Sequence, residues 1–128
     1  MQYEYFYGAQ AEQFFFYRIP KALFTEPNFR ELSTDAKVLY GILLDRMSLS
    51  LKNQWLDAQN TVYIIFTVEE IMDALNCANQ KATRLMVELE KQAGLIERKR
   101  QGLGRPNLIY VKNFAATIND KSCEKGDS

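Results

Sequence analysis

Residues 67–111, TVEEIMDALNCANQKATRLMVELEKQAGLIERKRQGLGRPNLIYV, constrain the fold more than any other stretch of this chain. Thr67 and Glu70 carry a capping-box signature: the threonine hydroxyl can accept from backbone amides that open a helix, and the glutamate three residues on can reach back to Thr67. Val68, Ile71, Met72 and Leu75 then recur at helical spacing. Asn76, Cys77, Ala78 and Asn79 are small or polar enough for a tight connection, with Asn79 expected to cap a second helix. In that helix, expected over residues 79–93, Ala82, Leu85, Met86 and Leu89 form a buried stripe. Asn79, Gln80, Lys81, Thr83 and Arg84 are left facing outward near its start, where a recognition helix offers side chains to the DNA major groove. Gly94 can end the helix, residues 95–101 read as a strand carrying Arg98, Lys99 and Arg100, and a turn containing Gly102, Gly104, Arg105 and Pro106 leads to a second strand over residues 107–111. Two helices joined by a tight turn and followed by a basic hairpin describe a winged helix.

Charge placement points the same way. The chain holds 16 lysines and arginines against 16 aspartates and glutamates, so it is neutral as a whole. Between residues 81 and 112, however, Lys81, Arg84, Lys91, Arg98, Lys99, Arg100, Arg105 and Lys112 face only Glu88, Glu90 and Glu97. Cations are concentrated where phosphates would lie.

Catalysis and metal binding find little to work with. Histidine is absent, which removes the commonest acid–base and nucleophile-activating group, so the chain is not expected to be an enzyme. Cys77 and Cys123 lie far apart without a CxxC partner; a zinc site is not expected, Cys77 reads as a small packing residue, and no cofactor is implied. Glu69 and Glu70 suit a helix start, while Glu88 and Glu90 read as a solvated helix face. Gly102-Leu103-Gly104 lacks the third glycine and the following helix of a nucleotide loop, and a hairpin turn explains it better. No secretory signal and no membrane-spanning run is legible, so a cytoplasmic location is expected.

Three regions are expected: an aromatic extension over residues 1–30, a winged-helix domain over residues 31–114 and a polar tail or linker over residues 115–128. The extension reads as two strands joined by a loop, then a short helix over residues 21–24 that begins after Pro20. Tyr3, Tyr5, Phe6, Tyr7, Phe14, Phe15, Phe16 and Tyr17 make up half of all Phe, Tyr and Trp residues, so these segments either cover their own core or form a subunit interface. A long helix capped by Ser33, over residues 33–48, presents Ala36, Leu39, Tyr40, Leu43, Leu44 and Met47 as its apolar face. After a long connection containing Trp55, Val62 to Phe66 is expected to pair with the hairpin as a third strand. The fold class expected is α+β, mainly α: a winged helix-turn-helix with a three-stranded wing sheet and an N-terminal strand pair.

The segments FYRIPKALF at residues 16–24, LSTDAKVLYGILLDRMSLS at residues 32–50, VYIIFTVEEIM at residues 62–72 and LIERKRQGLGRPNLIYVKNF at residues 95–114 together resemble the N-terminal domain of the RepA-type plasmid replication initiators of low-GC Gram-positive bacteria. The resemblance implies a domain that binds duplex DNA repeats at a plasmid origin, as a homodimer, and it favours a dimerisation role for the aromatic extension. It also implies contact with host replication proteins through a second, C-terminal domain that this chain does not contain. Motif geometry alone leaves two other readings open, a winged-helix transcriptional regulator and a winged-helix protein-interaction module. Against the latter, a protein-contact domain does not need Gln80, Lys81 and Arg84 exposed beside Arg98, Arg100 and Arg105.

Overall fold

The computed structural model describes residues 2–8 and 15–114. Its centre is a helix, α2 (Thr34–Lys52), nucleated as the sequence suggests: the Ser33 hydroxyl accepts from the Ala36 amide at 3.1 Å, and Asp35 sits in the positive first turn. The helix continues past Ser48 to Lys52, because no glycine or proline stops it. Ahead of it lie a single helical turn, α1 (Ala22–Thr25), and a short 3-10 turn over Pro27–Phe29 that occupies the expected break.

Two shorter helices pack beside α2. In α3 (Val68–Leu75) the capping box is complete, with Thr67 Oγ1 accepting from the Glu70 amide at 3.2 Å and Glu70 Oε1 accepting from the Thr67 amide at 3.0 Å. Asn76 ends it in the left-handed region at φ 52°, a conformation asparagine tolerates better than most residues. The next helix, α4 (Asn79–Val87), is capped by Ala78 without a side-chain bond, so Asn79 is its first residue and not its cap, contrary to expectation. Beyond Val87 the backbone widens into a π turn over Glu88–Gln92, closed by the Ala93 amide bonding to the Glu88 carbonyl.

The hairpin follows, β1 (Ile96–Lys99) antiparallel to β2 (Leu108–Val111), with Ile96 opposite Val111 and Lys99 opposite Leu108. Ile96 and Ile109 point into the core, where they meet Leu39, Leu43, Ile64, Ile71, Leu85 and Leu89, all buried. Tyr40 of α2 donates its hydroxyl to the Lys112 carbonyl at 2.8 Å, tying the helix to the end of β2, and burial pushes the phenol up to about 12.

Two expected β features are corrected. The sheet has two strands, not three: Ile64 exchanges backbone hydrogen bonds with Ile109, both 2.9 Å, but Val62 turns away to pair with Leu56. The segment therefore divides its pairing between two partners and forms no continuous third strand. The N-terminal strand pair is also missing among the described residues, since residues 2–7 and 15–19 carry no strand. Apart from the half-buried Ile19 their side chains are exposed, and an isolated hairpin with neither face covered is marginal in water. Phe14 and most of the expected connection, like the polar tail and Cys123, fall outside the described residues.

Gly41, in the middle of α2, has a packing reason. A Cβ there would lie 2.9 Å from both the Arg18 carbonyl oxygen and the Ile19 Cγ1, so the glycine lets the N-terminal segment cross the helix closely. Glycine-to-alanine in a helix interior ordinarily stabilises by up to about 1 kcal/mol. Here the clash should reverse the sign, since overpacking costs roughly 1–3 kcal/mol. Gly41→Ala is expected to lower the urea midpoint, and a raised midpoint would show that the crossing is not maintained in solution.

Candidate nucleic-acid interface

At about 100° per residue, Asn79, Gln80, Thr83, Arg84 and Val87 fall on one arc of α4, opposite the buried Ala82, Leu85 and Met86. All five are exposed, so the helix presents amide, hydroxyl, guanidinium and one aliphatic group to solvent. This mix of donors, acceptors and an apolar tip is the chemistry that base edges require. Val87, 40% exposed, was not singled out by sequence reasoning, although its helical spacing from Gln80, Thr83 and Arg84 could have shown it.

Lys81 lies at the margin of this arc and leans toward α2, where its Nζ is 2.6 Å from Asp35 Oδ2. The pair is about half exposed, with side-chain exposures of 43% and 49%, so it is worth about 0–1 kcal/mol and can open. A second tie joins the same elements: Glu88 accepts from the Ser33 amide at 2.8 Å and from its hydroxyl at 2.9 Å. Glu88 is thus a clamp between α2 and the π turn, not a solvated charge as expected.

Arg98 is occupied as well. Its Nε and Nη2 donate to Glu90 Oε1 at 2.9 and 2.7 Å, its backbone amide reaches Oε2 at 3.3 Å, and both side chains are largely covered. Burial pushes the Glu90 carboxyl up, but hydrogen bonds from the Arg98 side chain and backbone, with the guanidinium charge, outweigh it and hold Glu90 below its ordinary value of 4.5. A depressed carboxylate contributes stability that is fully present above the ordinary value and is lost as pH falls through the folded one. Wild-type protein should therefore lose its stability advantage over Glu90→Gln as pH is taken progressively below the ordinary value of 4.5. Denaturant titrations at neutral pH and along an acid series check this, and a gap that stays constant would rule the pair out as an acid-sensitive element.

Lys99, Arg100 and Arg105 remain exposed, unlike Arg98. Arg100 and Arg105 flank a turn in which Gly102 and Gly104 take φ 121° and 76°, values that favour glycine, while Gln101 Nε2 donates to the Pro106 carbonyl at 2.9 Å. Among the described residues, neither arginine nor Arg84 has a carboxylate within ion-pair distance. Of the residues expected to contact DNA, then, Asn79, Gln80, Thr83, Arg84, Lys99, Arg100 and Arg105 are presented outward, Lys81 is lightly tethered, and Arg98 is held back.

The remaining motifs are structural. Glu70 closes the capping box and binds Arg46 at 2.6 Å, and Arg46 lies 4.8 Å from the Phe66 ring centre. Cys77 is a free thiol packed partly buried against the core.

A helix pair whose second member carries an exposed polar arc, followed by a hairpin with exposed arginines at its turn, defines a class of domains that present one helix and one loop side by side. The chain belongs, within that class, to the family of the replication initiator protein A (RepA) N-terminus, whose sequence profile matches residues 15–125. It is similar to a "41 kDa protein" of Lactobacillus helveticus, 31% identical over 103 residues, which cover 80% of this chain and 28% of that protein. The chain therefore spans under a third of that relative's length. Among solved structures it resembles one titled "Structure of Rep-DNA complex", with 36% identity, a TM-score of 0.72 and 98% of each chain covered. It also resembles one titled "Structure of MDR initiator", with 39% identity, a TM-score of 0.71, 98% of this chain and 99% of the other covered. No helix among the described residues is long and apolar enough to cross a membrane.

Proposed function

We propose that this chain is a winged-helix domain that binds duplex DNA repeats at a plasmid-type replication origin. In this reading α4 lies in the major groove, with Gln80, Thr83 and Arg84 at base edges and Val87 against a thymine methyl group. The wing turn carries Arg100 and Arg105 to the adjacent backbone or minor groove. The observation that carries the reading is the exposed polar arc of α4 beside wing arginines that have no ion pair among the described residues, in a chain that is neutral overall. A solved relative that is itself a Rep–DNA complex supports it. The domain binds and does not catalyse, and it acts in the cytoplasm, where such an origin would be.

A homodimer fits this function if the repeats are inverted, since a palindromic pair of half-sites matches a twofold protein. The exposed Tyr5, Phe15 and Tyr17, at 83%, 105% and 57%, supply apolar surface for it, and the mass in solution with and without residues 1–13 measures it. Contacts with host replication proteins would belong to the part of the protein that the longer relative has beyond this region.

Footprinting on the source replicon tests the function. Protection at repeats within the segment that supports autonomous replication is the expected result. Protection confined to a promoter would replace the origin reading with a transcriptional one, and no protected site would remove both.

A further inference from the structure

The outer face of the hairpin is held by a feature that the DNA-contacting residues do not explain. Residues 55–63 fold back on themselves: Leu56 pairs with Val62, the Asp57 amide bonds to the Thr61 carbonyl at 3.0 Å, and Asn60 takes φ 64° at the turn. Trp55 stacks on Tyr63 with ring centres 6.3 Å apart and planes 17° apart. At the head of this loop, Asp57 Oδ1 accepts from the amides of Gln59 and Thr61, both at 2.9 Å, which fixes the carboxylate. Its other oxygen accepts the Tyr110 hydroxyl at 3.0 Å.

Strand register shows what that bond grips. Glu97 and Lys99 of β1 share one face with Leu108 and Tyr110 of β2, opposite the face that Ile96 and Ile109 bury. Lys99 is the last residue of β1, and the Arg100–Arg105 turn leaves directly after it. Its ammonium is close enough to favour the ionised Asp57. The Thr61 amide is the main cause that holds this carboxyl below its ordinary value, and the Tyr110 hydroxyl, the Gln59 amide and Lys99 add to it against desolvation. One carboxylate thus bonds to β2 on the face that Lys99, the residue before the wing turn, shares.

We propose that Asp57 is a positioning residue for the wing: through Tyr110 it braces the outer face of the hairpin and aims Arg100 and Arg105 at the DNA. The inference rests on the wing-contact reading above. A hairpin of four residue pairs is marginal alone, and the core covers only its inner face. The Asp57–Tyr110 bond sits in the half-exposed shell, where a hydrogen bond adds little to global stability but restricts direction. A turn ordered before binding leaves less entropy to lose on the DNA.

Anisotropy titrations of the full chain on a mixed-sequence duplex over a salt series test the proposal. Arg100→Ala and Arg105→Ala come first and should each flatten the salt slope; unchanged slopes would overturn wing contact, and the brace with it. With wing contact established, Tyr110→Phe should weaken binding by about three- to tenfold without moving the melting temperature appreciably. The loss should not add to that of Arg105→Ala, because a misdirected arginine has little left to lose. Wild-type affinity in Tyr110→Phe or full additivity with Arg105→Ala would each overturn the assignment while leaving wing contact intact.

Discussion

Alanine at Gln80 or Arg84 is expected to cost roughly 1–3 kcal/mol for each hydrogen-bonded base edge given up, and to narrow the gap between cognate and scrambled duplexes. Both side chains are exposed on α4 and free of competing ion pairs among the described residues, so their removal changes the DNA contact and little else. Lys81→Ala should cost less than Arg84→Ala, because Lys81 must first release Asp35. Wing substitutions should fail differently. Arg100→Ala or Arg105→Ala should weaken cognate and scrambled duplexes by similar factors, with the salt slope reduced by about one unit per phosphate contact. Arg98→Ala should act mainly through folding, since its guanidinium is committed to Glu90. Isotherms on both duplexes across a salt series separate these outcomes. Specificity that survived the helix substitutions and vanished with the wing substitutions would make the wing the base reader.

The largest effect on stability is expected at Leu85. This side chain is fully buried on α4, directly behind Gln80 and Arg84, and shares the core with Leu39, Leu43 and Ile71. Leu85→Ala removes buried methyl groups and leaves a cavity, which in comparable cores costs about 2–5 kcal/mol. For a domain of this size that is a large part of the total, so DNA affinity should fall with the folded fraction. Thermal unfolding measures it. A loss below about 1 kcal/mol would mean that α4 shifts into the space, and base recognition should then change even where the protein remains folded.

Some of this architecture is written in short-range chemistry. Ser33 at the start of α2, Thr67 and Glu70 at the start of α3, and the glycines of the hairpin turn specify local backbone states, so a single stretch of sequence suffices to read them. Apolar spacing likewise identified the buried faces of α2 and α4 and, by difference, the exposed arc with Gln80, Thr83 and Arg84. The Asp57–Asn60 turn, by contrast, lies in the stretch that reads from sequence only as a long connection containing Trp55.

What only the tertiary structure decided were the pairings between distant residues. Arg98 reads as one more wing cation until the π turn sets Glu90 beside it, and Glu88 reads as surface charge until Ser33 is brought within 2.9 Å. Val62 to Phe66 has the composition of a strand, yet a strand exists only where another backbone lies alongside, and here Leu56 and Ile109 divide the segment. Asp57 and Tyr110 are 53 positions apart and meet only because the core brings the hairpin against the loop. The physical reason is common to all of them. Caps, turns and amphipathic stripes depend on neighbours within a few residues, whereas ion pairs and strand partners depend on which surfaces the packed core leaves facing each other.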